Sequence, residues 1–113
     1  PAIGAAYKAV ETGAAEKLLS MLPDELEPAY LPLFLPDLTD GPTAEAMKLV
    51  KAADRISAFI KCLDEEKAGN SEFRQARQAV QATLEPVAAE LPEVDWFLEH
   101  LLPSFSLSLD ELS

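Results

Sequence analysis

The sequence predicts an all-α protein built as a helical bundle, and three observations predict it. Hydrophobic residues make up 49% of the 113-residue chain, so a core can form. Ala, Leu, Glu and Lys dominate, and these side chains lose little freedom in a helix. Only 4 residues are Gly, and apolar positions recur at steps of three and four rather than two. The length fits one helical domain spanning residues 1–113.

The first helix is expected within Pro1–Met21, where Ile3, Tyr7, Val10, Ala14, Leu18 and Met21 share one face. Leu22-Pro23-Asp24-Glu25 reads as a new helix start, with proline early and acids at the positive end of the dipole. Pro28, Pro32, Pro36 and Pro42 then limit regular structure to a short helix near Glu25–Phe34 and a loop from Pro36 to Gly41. Leu31, Leu33, Phe34 and Leu35 are expected to pack inward.

The strongest pattern runs from Thr43 to Lys67, with Thr43 as cap and Ala46, Val50, Ala53, Ile56, Ile60 and Leu63 as its apolar stripe. At 1.5 Å per residue this spine is roughly 37 Å long. Ala68-Gly69-Asn70 should end it with a left-handed cap. Asn70 or Ser71 should cap the next helix, which carries Phe73, Ala76, Val80, Thr83, Leu84 and Val87 and which Pro86 should break or kink. After Pro92 a further helix places Val94, Phe97, Leu98, Leu101 and Leu102 inward. The tail from Pro103 is expected to be extended and then to turn helical, because Ser108-Leu109-Asp110-Glu111 has capping-box spacing.

Charge narrows the functions. A formal net charge of −11 argues against nucleic acid as a partner, since phosphate backbones require clustered Lys and Arg. The overall field also gives an anionic substrate no help. No apolar run approaches the ~20 residues of a membrane span, and no signal-peptide pattern is visible. The single cysteine, Cys62, excludes an internal disulfide and suits a reducing cytoplasm. The chain opens on Pro1 rather than methionine, so an upstream segment is expected.

Asp54 is the residue to single out. It sits midway along the spine beside Val50, Lys51, Ser57 and Ala58, and a carboxylate near an apolar stripe must be paired, hydrogen-bonded or bound to metal. On spacing alone, an ion pair with Lys51 or with a neighbouring helix is the simpler account. His100, the only histidine, cannot build a histidine-rich metal site and reads as a surface residue in a last helical turn. Cys62 reads as packing, and Ser104, Ser106 and Ser108 lack a base. Asp64-Glu65-Glu66 reads as a solvated face, and Trp96 as an aromatic covering the edge of the core.

Several stretches in order extend the reading beyond periodicity. They are Tyr7–Glu11, Met21–Leu26, Leu49-Val50-Lys51-Ala52-Ala53-Asp54, Ile60–Glu65, Ala68–Phe73, Ala82–Glu85 and the tail Pro103–Glu111. Together they resemble the bacterial 5'-deoxynucleotidases of the YfbR type among the HD-domain phosphohydrolases. The resemblance implies an HD-domain-like bundle of which this chain is the C-terminal portion. It further implies release of phosphate from deoxyribonucleoside 5'-monophosphates, a divalent ion such as cobalt or manganese, and a homodimer.

In that family the metal is held by a histidine, an adjacent His-Asp pair and an aspartate from a later helix, and Asp54 matches the last of these. Asp54 would then touch substrate only through the metal. The histidine and the His-Asp pair have no counterparts here. The chain alone is therefore expected to carry no catalytic residue, to bind no metal and to be inactive. The other class of function left open is a non-catalytic helical interaction or dimerisation module.

Overall fold

The computed structural model describes residues 2–112, and every regular element among them is helical. In order these are α1 (Ala2–Ser20), α2 (Glu27–Phe34), α3 (Gly41–Lys67), α4 (Phe73–Glu90), α5 (Pro92–His100), a 3-10 turn over Leu102–Ser106, and α6 (Leu109–Leu112). The all-α prediction holds, and no strand occurs among the described residues. The chain divides into two compact units, one ending at Ala44 and one starting at Glu45.

In the first unit α1 forms where its alanines and periodicity place it. Its end tightens through bonds from Met21 N to Leu18 O and from Leu22 N to Leu19 O, both 3.1 Å, which satisfy last-turn carbonyls. The stripe lies on one face, yet that face is uncovered: Ile3 is 74% exposed, Tyr7 68% and Val10 70%, and only Leu19 is buried. The reason is length. Within this unit α1 packs on α2, and eight residues span about 12 Å against about 28 Å for nineteen.

Helix α2 starts two residues later than expected, because Pro28 takes a first-turn position where its missing N–H is not needed. Pro32 stands inside α2 without ending it. The inward packing expected of Leu31, Leu33 and Phe34 is not found; all three are exposed and Leu35 is half-buried. In the loop, Asp37 Oδ1 accepts from Thr39 N (2.9 Å) and Thr39 Oγ1 (2.6 Å). Asp40, not Thr43, caps α3: its Oδ2 accepts from Thr43 N at 3.0 Å and from the Thr43 hydroxyl at 2.6 Å. Aspartate at this position satisfies the orphan third N–H, and Thr43 becomes the donor instead. These bonds hold both aspartates below their usual pKa, the threonine hydroxyls contributing most.

In the second unit Ala52, Ile56, Phe59, Leu84 and Val94 form the buried core, enclosed by Ile60, Leu63, Val80, Val87, Phe97, Leu98 and others. Helix α3 therefore buries Ala52, Ile56, Phe59 and Cys62, a face turned away from much of the expected stripe. Ala46, Val50 and Ala53 are exposed. The apolar arc of α3 is wide enough to hold both sets, and only α4 and α5 decide which half is covered.

The end of α3 is a Schellman motif, with Asn70 N bonded to Glu65 O (2.9 Å), Gly69 N to Glu66 O (3.0 Å), and Gly69 at φ 92°. An added Cβ at Gly69 meets nothing within 4 Å, so the cost of Gly69→Ala is that of the backbone alone. The variant is expected to lose about 1 kcal/mol, read as a lower urea midpoint at unchanged slope. Neither Asn70 nor Ser71 caps α4 through its side chain. Asn70 Oδ1 accepts from Glu72 N (3.2 Å) and its Nδ2 donates to Glu65 Oε2 (3.2 Å), tying the turn to α3.

The expected break at Pro86 does not occur, and α4 runs on to Glu90. One missing donor is tolerated because Leu84, Val87 and Ala88, on either side of it, are held in the core. Leu101, expected inward, is 42% exposed, whereas Val94, Phe97, Leu98 and Leu102 pack as expected.

The tail contains a 3-10 turn in place of the expected extended segment. Pro103 opens it, and Ser104 Oγ donates to Leu101 O at 2.6 Å. The capping box of α6 forms as the spacing predicts. Glu111 Oε2 accepts from Ser108 N (2.7 Å) and Ser108 Oγ (2.8 Å), and Glu111 N approaches Ser108 Oγ at 3.4 Å. These bonds, the backbone one foremost, lower the Glu111 pKa. A lowered carboxyl stabilises the folded turn above its unfolded pKa and loses that contribution as pH falls through the folded value. The Ser108 amide is thus expected to lose hydrogen-exchange protection only below the ordinary glutamate pKa of about 4.3.

Candidate functional site

Asp54 projects from the middle of α3 on an exposed face. It forms no hydrogen bond and no ion pair with any described residue. The pairing with Lys51 that three-residue spacing offers is not made. Its surroundings on α3 are Val50, 56% exposed, with Ala53, Ser57 and Ala58 also uncovered. Beside this face a shallow apolar groove of about 370 Å³ runs between α3 and α5, lined by Leu49, Ala53, Ile60 and Phe97 among others.

Several other acids of the second unit are engaged. Glu65 is held by Lys61 and then Asn70, which lower its pKa in that order, and Glu66 Oε2 lies 3.0 Å from Arg77 Nε. That N–H is not directed at the oxygen, so the contact is a charge pair rather than a hydrogen bond. Glu65 and Glu66 are thus partly buried structural partners, which corrects their reading as a solvated face. Glu45 and Glu90 both reach Lys48, at 3.3 and 3.1 Å, and raise its pKa, the hydrogen bond to Glu90 foremost. Asp54 shares its lack of a partner with Glu85 and Asp95, and differs from them in its place midway along the longest helix.

A single carboxylate is one hard oxygen donor, and a protein site for a divalent ion needs several. Among the described residues no group of three His, Cys, Asp or Glu side chains converges. Asp54 is the right type of ligand, but the residues present do not complete a metal site.

His100 and Cys62 fall where the sequence reading places them, and Trp96 does not. His100 is exposed, with Nδ1 3.0 Å from Trp96 O and its ring stacked on the indole at 4.7 Å and 11°. Cys62 is buried at 5% exposure. Trp96, expected to cover the core edge, is 54% exposed and covers His100 instead.

One grouping escaped the sequence reading. Lys48, Lys51 and Arg55 line one small cleft with Val87, Glu90 and Leu91. Their spacing of three and four was the signal, masked by the excess of acids along the chain.

Fold and site together define an all-helical protein that offers one unpartnered carboxylate midway along its longest helix, with no helix among the described residues able to cross a membrane. The family model for 5'-deoxynucleotidase YfbR-like proteins matches residues 1–105, and the chain belongs to that family. It is 43% identical over all 113 of its residues to a 5'-deoxynucleotidase of Vibrio vulnificus, covering 60% of that relative. It is 43% identical over 111 residues to one from Shewanella oneidensis, with 98% of this chain and 54% of the relative covered. With the 5'-deoxynucleotidase YfbR of Escherichia coli it shares 45% identity over 107 residues, with 95% of this chain and 51% of the relative covered. The chain spans about half the length of the curated relatives it matches.

Proposed function

We propose that this chain is one part of a metal-dependent 5'-deoxynucleotidase that releases phosphate from deoxyribonucleoside 5'-monophosphates in the cytoplasm. Asp54 contributes one carboxylate to a divalent cobalt, manganese or similar ion, and it meets substrate only through that ion. The remaining ligands and the groups that grip base and sugar come from residues outside this chain, so residues 1–113 act as a helical portion of a larger domain and are inactive alone. The supporting observation is Asp54 itself: an exposed carboxylate without a partner, in a chain whose relatives are named 5'-deoxynucleotidases. When bound, the ion supplies charge neutralisation for the phosphate. What this chain does is hold the Asp54 carboxylate on a 27-residue helix anchored by Ile56 and Phe59 on its opposite side.

The experiment measures phosphate release from deoxyribonucleoside monophosphates with cobalt or manganese, for the 113-residue chain and for a longer protein that carries it. Turnover by the longer protein and none by the chain alone is expected. Robust turnover by the chain alone would remove the claim that its site is incomplete, and no turnover by the longer protein would remove the activity.

The second reading, a non-catalytic interaction or dimerisation module, draws on the uncovered stripe of α1. Phosphate release by the longer protein separates the two, and light scattering tests the homodimer that the resemblance implies. A monomeric longer protein would count against the homodimer in which the proposed enzyme is placed.

A further inference from the structure

The second unit carries a larger cleft that the proposed site does not use. It lies between α4, α5 and the 3-10 turn and encloses about 450 Å³. Phe59, Leu84, Leu98 and Leu102 contribute its apolar lining, and Ala88 and Ala89 keep it open because their side chains are short. Glu85 from α4 and Asp95 from α5 line it as well. Neither carboxylate makes an ion pair or hydrogen bond with a described residue, and no cationic side chain lines the cleft.

We propose that this cleft docks an amphipathic helix whose apolar stripe is flanked by Lys or Arg. The volume suits two or three large apolar side chains, and helix-in-groove recognition delivers them at three- and four-residue spacing. Charge complementarity selects the flanks. Two unpaired carboxylates stand on separate helices at the cleft, within a chain of net charge −11. A basic helix gains encounter rate and register from them, while an acidic helix is repelled. The apolar floor supplies most of the affinity and the two carboxylates supply the choice of partner.

The test uses the isotopically labelled 113-residue chain and a synthetic amphipathic peptide with leucines on one face and lysines along both flanks. The same peptide with glutamates for lysines is the control. NMR shifts at Leu84, Ala88, Leu98 and Leu102 are expected with the lysine peptide, weakening as salt is raised. The double variant Glu85→Gln with Asp95→Asn is expected to bind it about five- to tenfold less tightly, as two partly screened pairs imply. Ala89→Trp, at an exposed position of the lining, is expected to block binding while leaving the helical circular dichroism unchanged.

Equal affinity for the glutamate peptide would overturn the charge argument. Shifts confined to the groove at Leu49 and Phe97, or none at all, would overturn the location. Cleft resonances that broaden with the chain's own concentration, with no competition from the peptide, would make the occupant a second copy and overturn the proposal.

Discussion

Replacing Asp54 with alanine in a longer protein that carries this chain is expected to lower phosphate release by at least about a hundredfold. Groups that only orient a metal ligand already cost 10- to 100-fold when removed, and a direct ligand should cost no less. Metal affinity, read by calorimetry with manganese or cobalt, should fall in parallel, and Asp54→Asn should behave alike because an amide oxygen carries no charge for the ion. The same substitution in the 113-residue chain should leave stability within about 0.5 kcal/mol, since Asp54 is exposed and breaks no interaction when lost. This pairing of outcomes separates a ligand from a structural acid. Unchanged activity and unchanged metal affinity together would remove Asp54 from the metal site.

The largest effect on stability is expected at Leu84. It is 2% exposed and sits between the buried faces of α3 and α5. Leu84→Ala removes its apolar contacts and leaves a cavity, at a cost of about 3 kcal/mol. A unit of this size holds only about 3–10 kcal/mol in total. The variant should therefore bring the second unit close to its unfolding midpoint at room temperature, read as a large drop in urea midpoint. Tyr7→Ala, on the uncovered stripe of α1, should change stability by no more than about 0.5 kcal/mol despite removing a larger side chain. Equal costs at the two positions would mean that the α1 stripe is covered in solution.

Much of the fold was legible because helices and their ends are local. The span of α3, the Gly69 cap, the start of α5 at Pro92 and the Ser108–Glu111 box all rest on interactions within about five residues. Two errors were also local. Asp40 outcompeted Thr43 as the cap because its carboxylate accepts from both the Thr43 amide and its hydroxyl. After Pro103, Ser104-Phe105-Ser106 complete a 3-10 turn where the sequence reading expects an extended segment. At the site, Asp54 stands out in the sequence as an acid near an apolar stripe, and the metal role proposed for it rests on the resemblance. Lys48, Lys51 and Arg55 share α3 at legible spacing but are masked by the excess of acids, whereas the engagement of Glu66 by Arg77 and of Glu65 by Asn70 depends on α4 and on the turn after α3.

Taken alone, the order of residues determined an all-helical chain of this family and where most helices begin and end. Tertiary structure alone decided that α3 buries Ala52, Ile56 and Phe59 while leaving Val50 and Ala53 open, and that the Ile3–Tyr7–Val10 stripe stays uncovered. The physical reason is that a helix is stabilised by bonds to its own neighbours, whereas burial requires a partner surface, and periodicity marks an apolar face without naming what meets it.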